Sequence, residues 1–408
     1  MTLRLWVVRA TLCIGVSVFP MRDVHAQPES ASNSLLGALL DLQARANRFV
    51  GLPADSGVGD VTLFASLAAL EGSTAPYGTS TGGFTFTFDP GLGVWVRSAR
   101  SFGPAFADRS LTIGRRKLSA GVNWLHSVYG SVAGLDLDNG ELQPVKNSRG
   151  PVGLPEYSAL RLQFSSDVFV LFANLGITNN FDLGIAVPSI RHSLEGRLGI
   201  FSGTTDVTDG NMRIPHQDAA GTGDVAIRGK FRLLPSNQGG VAALVEVVLP
   251  TGEKNELRGL GFTRTLVSGL WSRGGRVSPH VNVGYEFWSD EVRVSSRSDV
   301  VVKDQFKYAL GAEFDLTHRA TLLIDVVGRR LLNGGRAGYQ TVHGLFGPGS
   351  SLDALIALPE GLNVITLAPG IKWNVWRSVL VTGSLLASLE NDGLRARTVP
   401  VVGMDWAF

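Results

Sequence analysis

A period of two runs through the last stretch of the chain, residues 394–408. Thr398, Pro400, Val402, Met404, Trp406 and Phe408 fall on one side, and Arg395, Arg397, Val399, Val401, Gly403, Asp405 and Ala407 on the other. Successive side chains of a strand point to opposite faces, so the stretch reads as one strand long enough to cross a bilayer at a tilt. A soluble protein with such an apolar strand at its edge invites aggregation, and only closure into a barrel removes the edge.

The same alternation recurs from Lys117 onward. Segments near 117–124, 160–165, 181–187, 224–233, 241–249, 280–287, 303–315, 321–329, 365–374 and 379–388 repeat it, and 264–273 does so less clearly. With the terminal segment this makes about twelve, an even number as bacterial barrels require. The connections alternate between tight ones, such as 178–180, 274–275, 317–318 and 376–377, and longer ones, such as 130–154, 202–220, 289–301 and 332–361. Short turns on one side and long loops on the other are the habit of membrane barrels, not of β-sandwiches. The expected fold is therefore all-β, a single antiparallel transmembrane barrel over 117–408.

One face of these segments collects charge: Arg161, Asp182, Asp224, Arg228, Lys230, Arg232, Glu246, Glu286, Lys307, Glu313, Asp315, Asp325, Arg329, Lys372 and Asp405, with His280 beside them. A charge facing lipid near the midplane costs about 2–4 kcal/mol, so all are expected to line the lumen. There they either satisfy one another and hold a plug, or set the permeability of an open passage.

Residues 1–26 read as a secretory leader: Arg4 and Arg9 flank an apolar run to Phe19, and Val24-His25-Ala26 offers a cleavage site. The only cysteine, Cys13, lies there, so thiol chemistry and disulfides are excluded from the rest. Removing the leader's three Arg and one Asp from 37 basic and 35 acidic residues leaves 34 of each. That balance gives no reason to invoke nucleic acid. Residues 27–116 do not alternate like a wall. A short amphipathic helix is expected over 34–50, and a hairpin from Phe84-Thr-Phe-Thr-Phe88 through a turn at 89–91 to Val94-Trp-Val96. Such a segment fits a lumenal plug better than a periplasmic extension.

Catalysis finds little support. His126 and Ser127 are neighbours on opposite faces, His280 has Asn282 two residues on but no serine placed by spacing, and no Gly-x-Ser-x-Gly elbow occurs. The Gly221-Thr-Gly-Asp224 run opens a strand, not the helix a phosphate loop needs. No enzyme, cofactor or metal site is expected.

The closing strand with its final Phe408 resembles the terminal signature of bacterial outer-membrane barrels, which implies outer-membrane lipid and the barrel assembly machinery as partners. Ser101-Phe-Gly-Pro-Ala-Phe-Ala-Asp-Arg-Ser-Leu-Thr-Ile-Gly-Arg-Arg-Lys117, Gly176-Ile-Thr-Asn-Asn-Phe-Asp-Leu-Gly-Ile-Ala-Val-Pro188, Gly221-Thr-Gly-Asp224 and Leu249-Pro-Thr-Gly-Glu253 resemble the outer-membrane transporter family associated with the meta pathway of phenol degradation. The resemblance implies a channel for small hydrophobic or aromatic solutes, without naming one. It supplies no catalytic residues. A nonselective porin and a structural or receptor barrel are the alternatives.

Overall fold

Each alternating segment forms one wall strand in the computed structural model, which describes residues 34–54, 61–74, 76, 78, 83–89, 91, 94–97, 99–149, 156–208, 210, 212–236, 239–294, 299–344 and 347–408. The expected leader lies outside them. The strands are β1 Leu118–Val132, β2 Tyr157–Gly176, β3 Phe181–Ser202, β4 Val225–Ser236, β5 Gly239–Leu249, β6 Arg264–Arg273, β7 Val277–Trp288, β8 Gln305–Thr317, β9 Ala320–His343, β10 Ser351–Trp376, β11 Val379–Ser388 and β12 Thr398–Ala407. Sequence neighbours pair antiparallel all the way round, and β12 returns to β1 in the register Val401↔Leu125 to Ala407↔Ser119. At the seam Leu118 N–H donates to the Phe408 carbonyl (3.2 Å) and Phe408 N–H to the Leu118 carbonyl (2.7 Å). The fold is a closed twelve-stranded barrel.

The long link expected over 332–361 is not a loop. β9 and β10 stay paired to His343↔Ser351 and carry a hairpin beyond the wall, its outer part also paired to the short strand Val145–Arg149. Alternation in this stretch is too mixed to read as wall, because the hairpin stands clear of lipid and needs no apolar face.

Strand parity never changes along β2 and β3, yet what each face carries does. On β2 the outward residues Phe169, Leu171 and Leu175 are 43, 59 and 42 % exposed, while the inward Asn174 is buried. Further along, the outward residues become Arg161, Gln163 and Ser165, and the inward ones Leu160, Leu162 and Phe164, all three nearly inaccessible. The crossover lies near Asp167, which accepts from the outward Trp124 Nε1 (3.1 Å) and sits 2.8 Å from His126 Nδ1. An amphipathic ring with a polar tip suits the edge of a bilayer. The barrel thus has two storeys. The lower is polar inside and apolar outside; the upper is apolar inside and polar outside, like a water-soluble protein.

Two helices fill the upper storey. α1, Leu35–Phe49, is capped by Ser34, whose Oγ accepts from Gly37 N–H (3.0 Å), and it turns Leu35, Leu39 and Leu42 to the core. α2, Thr62–Thr74, was not legible beforehand: it is buried on every side and so carries no apolar stripe. Phe64 of α2 meets Phe164 edge-to-face at 5.6 Å, joining the helices to β2 and β3 through Leu160, Leu162, Leu194 and Leu198. Replacing Ser34 with alanine leaves a donor at the helix start without its acceptor and is expected to cost about 1 kcal/mol. Faster amide exchange confined to the first turn of α1, by mass spectrometry, checks this.

At the tight-turn end, Phe86–Asp89 and Val94–Arg97 form the expected hairpin. Phe84 packs edge-to-face on Phe102 (5.6 Å) against Leu380 and Ala407, and the Arg97 guanidinium lies 4.1 Å from the Phe102 ring centre.

Candidate functional site, a tethered lumenal strap and the chamber above it

Residues 101–115 cross the lower storey with neither helix nor strand. Irregular backbone at membrane depth is tolerated only where every N–H and carbonyl finds a partner inside the protein. The wall supplies those partners. Thr321 Oγ1 accepts from Phe102 N–H (3.1 Å), and one oxygen of Asp325 from both Ala105 and Phe106 N–H (3.1 Å each). Asn282 accepts from Asp108 N–H and donates to its carbonyl, both at 2.9 Å. Ser272 Oγ accepts from Ser110 N–H (3.0 Å) and Asp182 from Ile113 N–H (2.9 Å). Lysines serve the carbonyls: Lys372 Nζ donates to Pro104 (2.7 Å) and Lys230 Nζ to Arg109 (3.3 Å). The strap's own Arg109 donates from Nε to Glu313 (2.9 Å). Gly176 seats the far end, since a Cβ there would stand 1.8 Å from the Gly114 carbonyl oxygen.

Behind the strap, His280 Nε2 lies 2.8 Å from Asp325 and Nδ1 3.7 Å from Glu313. Its ring is held by the Asp325 carboxylate; Asn282, two residues on, is engaged by the strap instead. Lys372 and Asp405 face each other at 4.0 Å.

Above the strap lies a chamber of about 230 Å³. Phe106 and Asp108 of the strap border it below and Glu71, Ser73 and Thr74 of α2 above. Leu125, Leu244, Leu266, Leu270 and Leu386 supply apolar wall, and Arg228, Glu246, Arg264, Lys307, Arg329 and Arg395 supply charge. Arg228 pairs with Glu246 and donates to the Gly78 carbonyl (3.1 Å). Arg264 lies between Asp224 (3.4 Å) and Glu286 (3.6 Å) and reaches the Ser73 carbonyl (2.9 Å). Glu286 also accepts from Trp288 Nε1 and Gln305 Nε2, both at 2.7 Å, and pairs with Lys307. Glu71 receives two guanidiniums, Arg329 at 2.7 Å and Arg395 at 2.6 Å. Buried ions held this way are costly to break singly, at about 3–5 kcal/mol.

Two further candidates sit near the tight-turn end. Arg232 donates to the Ser236 (3.0 Å) and Gly239 (3.3 Å) carbonyls, and half-buried Asp315 borders a recess with Arg97 and Arg276.

Arg161 is a correction. It points outward and is exposed, cross-strand from Arg197, because at its height the inward face of β2 packs on the helices and water lies outside. Asp224 has a structural use that its motif did not disclose: it accepts from Gly252 N–H (3.1 Å) and Leu260 N–H (3.3 Å), while Thr251 Oγ1 donates to the Gly223 carbonyl (2.7 Å). The runs 221–224 and 249–253 therefore lock one another at the outer ends of β4 and β5.

Reading the sequence did not single out Glu71, Arg109, Arg264 or Arg395 as candidates. Parity gives Arg264 once β6 is accepted, since Arg264, Ser268 and Ser272 share the inward face. Arg395 already lay on the wet side of the closing stretch. Glu71 and Arg109 lie outside any periodic segment and carry no such signal.

No protein-family model and no curated protein matches the chain. Among solved structures it is similar to an outer-membrane channel of Pseudomonas putida F1, at 11 % identity and a TM-score of 0.45 over 73 % of this chain and 98 % of that one. It is also similar to a Pseudomonas aeruginosa FadL homologue (11 %, 0.32, 82 % and 98 %) and to the Ralstonia pickettii toluene transporter TbuX (10 %, 0.27, 72 % and 90 %).

Proposed function

We propose that this chain forms a channel of the bacterial outer membrane that passes small hydrophobic or aromatic solutes, and that the strap and helices close it at rest. The observation that carries the reading is the chamber: it lies between strap and α2, and leucines from β1, β5, β6 and β11 form much of its wall. An apolar cavity of about 150 Å³ is enough to hold benzene, so about 230 Å³ takes a single substituted ring. A nonselective porin needs a continuous watery bore, and residues 101–115 stand in its way, tied to the wall at each end. On this reading the apolar outward band of the lower storey meets outer-membrane lipid, and the β12 strand with Phe408 is what the assembly machinery receives.

The test is passage through liposomes carrying the refolded protein. Phenol or toluene is expected to enter faster than through protein-free liposomes, while sugars of similar size cause little swelling. Equal rates for sugars and aromatics would replace this reading with the porin. No passage of ions, sugars or aromatics would remove transport altogether.

A further inference from the structure

The chamber's cations are not shared evenly among its carboxylates. Arg264 has Asp224 and Glu286, Lys307 has Glu286, and Arg228 has Glu246. Arg329 of β9 and Arg395 of the short strand Leu394–Ala396 share the single carboxylate of Glu71, both at one oxygen. The two guanidiniums are more than nine-tenths buried, and each keeps a buried N–H, Nη1 of Arg329 and Nε of Arg395, with no acceptor among the described residues. A buried guanidinium donor left without an acceptor is costly, and a planar carboxylate is the group that matches two such forks. The chamber wall also offers apolar surface, with Val364, Leu386 and Val399 contributed by β10, β11 and β12 among the hydroxyls of Thr366 and Ser388.

We infer that the Arg329–Arg395 pair is a recognition site for the carboxylate of a small organic acid whose apolar body lies against the chamber wall, and that such a solute competes with Glu71 for the two arginines. The inference rests on the channel reading and deepens it by naming the solute class. It also gives binding a mechanical consequence. Glu71 is the contact by which α2 is ion-paired to β9 and to the strand before β12, so a solute carboxylate that takes its place unfastens the helix above the chamber.

Calorimetric titration of the purified full-length protein in detergent tests it, with benzoate as probe and benzyl alcohol as its uncharged counterpart. Benzoate is expected to bind, to bind about tenfold more tightly to the Glu71→Gln protein, and to lose at least about tenfold in affinity when Arg329→Gln and Arg395→Gln are combined. Benzyl alcohol is expected to respond to none of these changes. Heat-dependent gel mobility shows whether each barrel is folded, and if the double variant is not, the Glu71→Gln result decides. Unchanged benzoate affinity in Glu71→Gln, or benzyl alcohol tracking benzoate through the series, overturns the inference. The liposome experiment fails separately: a protein that passes toluene but ignores benzoate loses the carboxylate site alone, and one that binds benzoate but passes nothing loses the channel alone.

Discussion

Replacing Asp325 with alanine raises the ion conductance of the reconstituted barrel at least about tenfold. One oxygen of this carboxylate holds the strap by two consecutive N–H groups, Ala105 and Phe106, and the other engages His280. Neither water nor another wall group substitutes easily, because the side chain is fully buried. Each N–H left without an acceptor costs about 1–3 kcal/mol, so the closed arrangement loses at least about 2 kcal/mol relative to a displaced strap. Since about 1.4 kcal/mol is a factor of ten in population, the displaced form gains an order of magnitude or more. The remaining tethers, among them Asn282, Ser272 and Asp182, keep the strap associated, so openings are expected to be transient. Single-channel recording in planar bilayers reads this directly. If a folded Asp325→Ala barrel conducts no more than the unaltered one, the strap is not the closure that limits conductance.

The two-storey reading is tested by a charge placed at two heights. Ile324 faces outward on β9, 41 % exposed, between Ala312 and Pro369 of the flanking strands. Arginine there meets hydrocarbon, and folding into lipid vesicles is expected to lose about 2–4 kcal/mol. Arg161 also faces outward but stands above the crossover near Asp167, so its exchange for leucine is expected to change stability by no more than about 0.5 kcal/mol. Urea titration of the vesicle-bound proteins measures both. A gain of about 2–4 kcal/mol for the Arg161 exchange would mean that the apolar band extends to Arg161 and that the crossover has been placed too low.

Arg161 also shows where sequence reasoning fails. Its segment alternates as cleanly as any, with Leu160, Leu162 and Phe164 opposite Arg161, Gln163 and Ser165. Alternation states that two faces differ; it does not state which one meets solvent. In the lower storey lipid claims the apolar face, and Asp182, Lys230, Glu313 and Asp325 are accordingly buried inside. In the upper storey α1 and α2 claim it, and the polar face turns out.

What the residues determined unaided is the wall: period two, an even number of segments, short and long links in turn, and closure over 117–408 follow from backbone groups that must all be paired in lipid. What only the folded molecule decided is the interior. α2 has no stripe to betray it, the strap has no period, and Glu71 is one carboxylate in an apolar run. Each is placed by contacts with residues distant in the chain, as Glu71 is by Arg329 and Arg395. Local patterns report the solvent each strand needs; they carry no record of which distant side chain fills the space the strands enclose.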